Sequence, residues 1–129
     1  MAKLTYACVL TRNLDGLAAF YREVLQLEPQ RSGPYVEFAT GPAIFCLWAV
    51  DAYTEIAGTA AIPHLGTGGI MLEFEVDDVD AEFERLQRLQ HSKIEFIIPP
   101  TTMAWGNRSI YLRDPDGNLI NLFSHAAGS

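Results

Sequence analysis

Two rhythms of apolar residues run along this chain, one suited to strands and one to helices. Leu4 to Thr11 is a dense apolar run of strand length, rich in residues that fit a pleated sheet. Asn13 then offers a helix cap, and Leu14, Leu17, Ala18, Tyr21, Val24 and Leu25 follow at helical spacing. Pro29 and the Ser32-Gly33-Pro34 cluster end that rhythm. Tyr35 to Ala39 and Ala43 to Trp48 read as two strands joined by Thr40-Gly41-Pro42, and a further strand is expected around Glu28 to Arg31.

The order then repeats. Ile70 to Val76 is a strand, Asp77 and Asp78 supply a cap, and Val79, Phe83, Leu86 and Leu89 form the next helical stripe. Ile94 to Ile98, Arg108 to Arg113 and Leu119 to Ser124 are three more strands. The last two are joined by Asp114-Pro115-Asp116-Gly117-Asn118, with proline and glycine where a tight turn wants them. The reading is α+β: one domain over 1–129 built from two βαβββ modules, 1–50 and 69–125, with a linker over 51–68. The helices, over 13–27 and 78–90, are expected outside, and the curved mixed sheets around a concave cavity.

Strand phase assigns residues to faces, because alternate side chains point opposite ways. Leu72, Phe74 and Val76 are expected against the helix, leaving Met71, Glu73 and Glu75 on the concave face. Thr5, Ala7 and Val9 are likewise expected against the helix and Tyr6 and Cys8 on the concavity; Leu119, Asn121 and Phe123 join that face, opposite Ile120 and Leu122.

At 129 residues, 49% hydrophobic and 19% charged, the chain can build a packed core. A net charge of −7 argues against nucleic acid. No basic region followed by a long apolar run opens the sequence and no apolar stretch reaches the roughly 18 residues of a membrane span, so a cytoplasmic protein without a membrane partner is expected. Cys8 and Cys46, in apolar strands and without a CxxC partner, read as small buried hydrophobes. Gly66-Thr67-Gly68-Gly69 opens no helix and is no phosphate cradle, and no nucleophile stands in a recognisable elbow.

Three stretches resemble the vicinal-oxygen-chelate superfamily, which includes glyoxalases, bleomycin-resistance proteins and extradiol dioxygenases. They are Asn13-Leu14 with Phe20-Tyr21-Arg22-Glu23-Val24-Leu25, the run Glu73-Phe74-Glu75-Val76-Asp77-Asp78-Val79-Asp80, and Trp105-Gly106-Asn107-Arg108 followed by Leu112 to Ile120. Their order and spacing cover nearly the whole chain. In metal-dependent members His, Glu or Gln ligands line the concave faces; the resemblance carries three of those positions onto Tyr6, Met71 and Asn121. A phenol, a thioether and an amide make a poor site for a hard or borderline divalent cation. His64, His91 and His125 read as surface residues off the strand faces. The resemblance therefore implies the metal-free, bleomycin-resistance-like branch, with no cofactor: a protein that binds a small molecule, cationic and aromatic or an antibiotic, without altering it, and that pairs as a homodimer. Tyr6, Trp48, Glu73, Trp105, Arg108, Tyr111 and Asn121 are the candidate ligand-binding residues. Trp48 and Trp105 also suit core or dimer packing, and Arg108 a salt bridge beside the turn. The alternative is an enzyme of the same superfamily, a lyase, isomerase or dioxygenase, with or without metal.

Overall fold

The computed structural model describes residues 1, 4–58, 70–89 and 93–125, and they form two compact units, 1–67 and 68–129, each described here by itself. Unit 1 runs β1 (Tyr6–Thr11), α1 (Leu14–Leu25), β2 (Gln30–Ser32), β3 (Tyr35–Ala39), β4 (Ile44–Ala49) and α2 (Val50–Ala57). Unit 2 runs β5 (Met71–Glu75), α3 (Val79–Gln87), β6 (Glu95–Thr102), β7 (Asn107–Arg113) and β8 (Leu119–His125). Each unit holds one four-stranded mixed sheet, ordered β1-β4-β3-β2 and β5-β8-β7-β6. The first and last strands of each pair in parallel and the other neighbours antiparallel, so the α+β reading holds.

The helices start where capping chemistry puts them. Asn13 Oδ1 accepts the Gly16 N–H at 3.2 Å, and Asp78 Oδ1 accepts the Ala81 N–H at 3.2 Å. A methyl group on Gly16 would meet the Asn13 side chain and push that cap aside. The apolar stripe of α1 buries Leu17, Phe20, Tyr21 and Val24 against its sheet. Tyr21 is fully buried, with its ring edge-on to Phe45 at 4.7 Å and to Phe38 at 6.4 Å. In unit 2, Val79 and Leu86 of α3 and Ile110, Leu112, Ile120 and Leu122 are buried, and Phe83 meets Phe96 at 4.9 Å. Each such aliphatic side chain contributes about 1.5–3 kcal/mol by leaving water.

Three elements differ from the sequence reading. The stretch expected to open the linker at residue 51 belongs to the helix α2; Val50 is buried in its first turn, and the remainder, 59–69, lies outside the described residues. Helix α3 stops at Gln87, short of residue 90. Strand β6 continues past Ile98 through Pro99 and Pro100, with register shifts between Phe96, Ile98 and Thr101. Prolines survive there because β6 is an edge strand, so one missing N–H faces away from β7, and because the shifted register leaves neither proline paired with β7.

The β7–β8 turn is organised by one buried carboxylate. Asp114 Oδ1 accepts the N–H groups of Asp116 at 3.0 Å and Asn118 at 2.8 Å, and Oδ2 accepts Asn118 Nδ2 at 2.8 Å. Gly117 sits at φ +88°, a conformation that side-chain-bearing residues rarely adopt. The Asp-Pro-Asp-Gly-Asn run is therefore a turn-building device that sets the β7–β8 register. Asp114→Ala should lower stability by about 2 kcal/mol, the range for losing charge-assisted bonds to buried partners. Urea denaturation measures it, and a change below about 0.5 kcal/mol would show that the turn holds without the carboxylate.

Candidate functional site

On the face of the unit 2 sheet away from α3, one row of register partners crosses the sheet: Glu73 on β5 opposite Asn121 on β8, Asn121 opposite Tyr111 on β7, and Tyr111 opposite Ile98 on β6. Asn121 Nδ2 donates to Glu73 Oε1 at 3.0 Å. A carboxylate only accepts hydrogen bonds, so the amide nitrogen must face it and the amide oxygen must turn away. Asn121 is only 4% exposed, and its Oδ1 is buried with no hydrogen-bond partner. One rung along, Ser109, opposite Phe123, has a fully buried Oγ that is also unpartnered. Two orphaned polar atoms on neighbouring strands of one face are unusual, because each unmade bond costs about 1–3 kcal/mol.

Glu73 itself is exposed, so water solvates its charge. Sequence reasoning also missed a neighbour. His125 is the last residue of β8, in phase with Asn121 and Phe123, and its Nε2 lies 3.0 Å from Glu75 Oε1. It is a strand-face residue and not part of a tail; extending the alternation of β8 by one residue would have found it. His64 and His91 lie outside the described residues.

The other candidates fall in different places. Tyr6 and Trp48 lie on the open face of the unit 1 sheet, Tyr6 54% exposed and Trp48 against the rings of Tyr35 at 4.9 Å and Tyr53 at 5.9 Å. Trp105 stands 67% exposed in the turn between β6 and β7. Arg108 shares the phase of Ile110 and Leu112, so it points to the helix side of the sheet, away from Tyr111. There its Nε and Nη2 grip Asp80 of α3 at 2.7 and 2.9 Å, and Nη1 donates to Thr102 Oγ1 at 3.1 Å. The structure thus gathers Glu73, Tyr111 and Asn121 and sets Arg108 apart as the anchor of α3. A groove of about 540 Å³ in unit 1, beside Thr11, Asn13, Arg31 and Asp51, contains none of the seven candidates.

The donor set does not suit a divalent metal. Met71 offers an exposed thioether, Tyr6 an exposed phenol, and Asn121 a neutral amide oxygen closed off from solvent. Among the described residues no three His, Cys, Asp or Glu side chains cluster so as to hold an ion. Those residues also include no helix long and apolar enough to cross a membrane.

Comparison with known proteins agrees with the fold. Residues 4–126 match the glyoxalase-like domain family. A glyoxalase/bleomycin resistance protein/dioxygenase from Nocardioides is 26% identical, with TM-score 0.78, over 100% of this chain and 87% of that one. A lactoylglutathione lyase from Agrobacterium tumefaciens is also 26% identical, with TM-score 0.73, over 96% and 94% of the two chains. A glyoxalase/bleomycin resistance protein/dioxygenase family enzyme from Burkholderia phytofirmans shares the fold at TM-score 0.80 and 20% identity, over 96% and 99%. No curated protein matches the sequence.

The Arg108–Asp80 pair gives a pH-dependent signature. The guanidinium hydrogen bonds hold the Asp80 carboxyl below its usual 3.8. A depressed folded-state pKa adds stability that is present above 3.8 and lost as pH falls through the lowered value. Both partners are largely exposed, so the effect is small. In Arg108→Ala, Asp80 should titrate close to 3.8 by carboxyl NMR; a titration identical to the parent protein would mean that Arg108 is not the cause.

Proposed function

The chain belongs to the glyoxalase-like family, and from that premise we propose that it binds a small cationic or amine-bearing molecule on the open face of its second sheet, without a metal ion. The observation that carries this reading is the orphaned amide oxygen of Asn121, buried beside the Glu73 carboxylate. An acceptor beside an exposed carboxylate calls for a ligand with N–H donors, one to share the carboxylate and one to reach the Asn121 oxygen once the side chains that close it off from water move aside. Tyr111, Ile98 and Phe123 supply apolar surface along the same rows, the mixture expected of a small-molecule site.

Binding without chemistry accords with the poor donor set for a metal; among the described residues of this face the one serine, Ser109, has no base hydrogen-bonded to it. The bleomycin-resistance part of the relatives' description makes cationic glycopeptides sensible first probes. The lactoylglutathione lyase relative supports a second reading, in which Glu73 acts as a base on a bound substrate. Two copies are proposed to associate, since Tyr6, Met71, Ile98 and Trp105 remain exposed and are apolar enough to favour contact with a copy.

Titration of cationic aromatic compounds against intrinsic tryptophan fluorescence tests the reading. Asn121→Leu should abolish binding of any hit and leave stability within about 1 kcal/mol, because it removes the orphaned oxygen together with its amide. Glu73→Gln should weaken a cationic hit by about 1 kcal/mol, a modest figure because Glu73 is exposed. A hit that binds both variants as tightly as the parent protein would place the site elsewhere. Conversion of the compound to a new product would establish the enzymatic reading instead.

A further inference from the structure

The open face of the first sheet carries a different pair. Cys8 on β1 and Cys46 on β4 are direct register partners in the parallel pair, on the same side of the sheet as Tyr6 and Trp48. Neighbouring strands run about 4.8 Å apart, inside the roughly 4.4–6.8 Å Cα separation of disulfides. Each thiol is held by one weak bond to a backbone carbonyl, Cys8 to Val9 at 3.8 Å and Cys46 to Ala7 at 3.7 Å. Cys8 is exposed and Cys46 buried, which corrects the expectation that both are buried hydrophobes.

We propose that Cys8 and Cys46 are a dithiol site that reacts with low-molecular-weight disulfides and closes to a reversible Cys8–Cys46 bridge. The exposed Cys8, as thiolate, attacks one sulfur of the small disulfide; that S–S bond breaks, and one small thiol leaves as thiolate and takes up a proton. Cys46 then loses its proton, attacks the Cys8 sulfur of the mixed disulfide and expels the second small thiol. The protein dithiol loses two electrons and two protons, and the small disulfide becomes two thiols.

The second proton has a local acceptor. Glu37 is the register partner of Cys46 across β3 and β4, and its Oε2 accepts the Tyr35 hydroxyl at 2.9 Å. The buried thiol and a carboxylate thus share one rung of the sheet. The titratable groups facing the pair are Tyr6 on β1, Tyr35 and Glu37 on β3 and Tyr53 on α2. Desolvation of the sulfur, and then the neighbouring Cys46 thiol, push the Cys8 thiol up from its ordinary value, so little of it is thiolate at pH 7 and the first step is slow there and faster as pH rises.

The test treats the full chain with glutathione disulfide at pH 7 and pH 8.5 and follows intact mass and free thiols. The expected result is loss of two hydrogens with no retained glutathione, both thiols consumed, a proteolytic fragment linking Cys8 to Cys46, faster reaction at the higher pH and full reversal by dithiothreitol. Cys46→Ser should stop at one glutathione on Cys8, and Cys8→Ser should react at least tenfold more slowly. Glu37→Gln should slow closure of the mixed disulfide and leave its formation unchanged, a split that a structural role would not give. A stable glutathione adduct on the parent protein, disulfide-linked dimers, or two unreacted thiols would each overturn the proposal.

Discussion

Each unit depends on the pairing of its first strand with its last. β1 joins β4 and β5 joins β8 in parallel, and a parallel pair cannot be closed by a tight turn, so a helix and two strands must intervene. That connection carries the helix across one face of the sheet and buries Leu17, Tyr21, Val79 and Leu86 beneath it. The other face is left open. The same pairing brings together residues far apart in sequence: Cys8 meets Cys46, and Glu73 meets Asn121. Neither chemical pair exists without the long-range register, so each is as stable as the core that holds it.

The two units place different chemistry on one scaffold. Cys8 and Glu73 stand at the same distance ahead of their helix caps, Asn13 and Asp78. Following the register across the sheet from each gives Cys8, Cys46 and Glu37 in one unit, and Glu73, Asn121 and Tyr111 in the other. One row is built around thiols beside a hydrogen-bonded tyrosine, the other around an amide whose oxygen lacks a partner. The backbone fixes the positions, and the side chains decide whether a face exchanges electrons or offers hydrogen-bond acceptors.

Most of this order was legible in the sequence, because alternation and caps act locally. Asn13 and Asp78 cap the helices as expected, and strand phase correctly put Glu73 and Asn121 on one face. What escaped has physical reasons. Helix α2 is short and Ala49 gives it no side-chain cap, so nothing marks its start. His125 was missed because β8 was ended one residue early. Arg108 was grouped with Tyr111 although it shares the phase of Ile110, and its true partner, Asp80, lies a helix and a strand away. The orphaned oxygen of Asn121 could not be read at all: it depends on which way an amide turns, which only the contact with Glu73 decides.

The prolines of β6 matter beyond their own unit. An exposed sheet edge is a template on which a second chain can lay its backbone, hydrogen bond by hydrogen bond. At β6 that template is interrupted by Pro99 and Pro100, which have no N–H to offer, and by the shifted register around them. The outer strand of the first sheet, β2, is only three residues long. These two of the four sheet edges are thus ill suited to growth by strand addition; β1 and β5 form the others. Fusion of sheets from separate copies, the step that leads to fibres, would meet too short a strand at β2 and missing donors at β6.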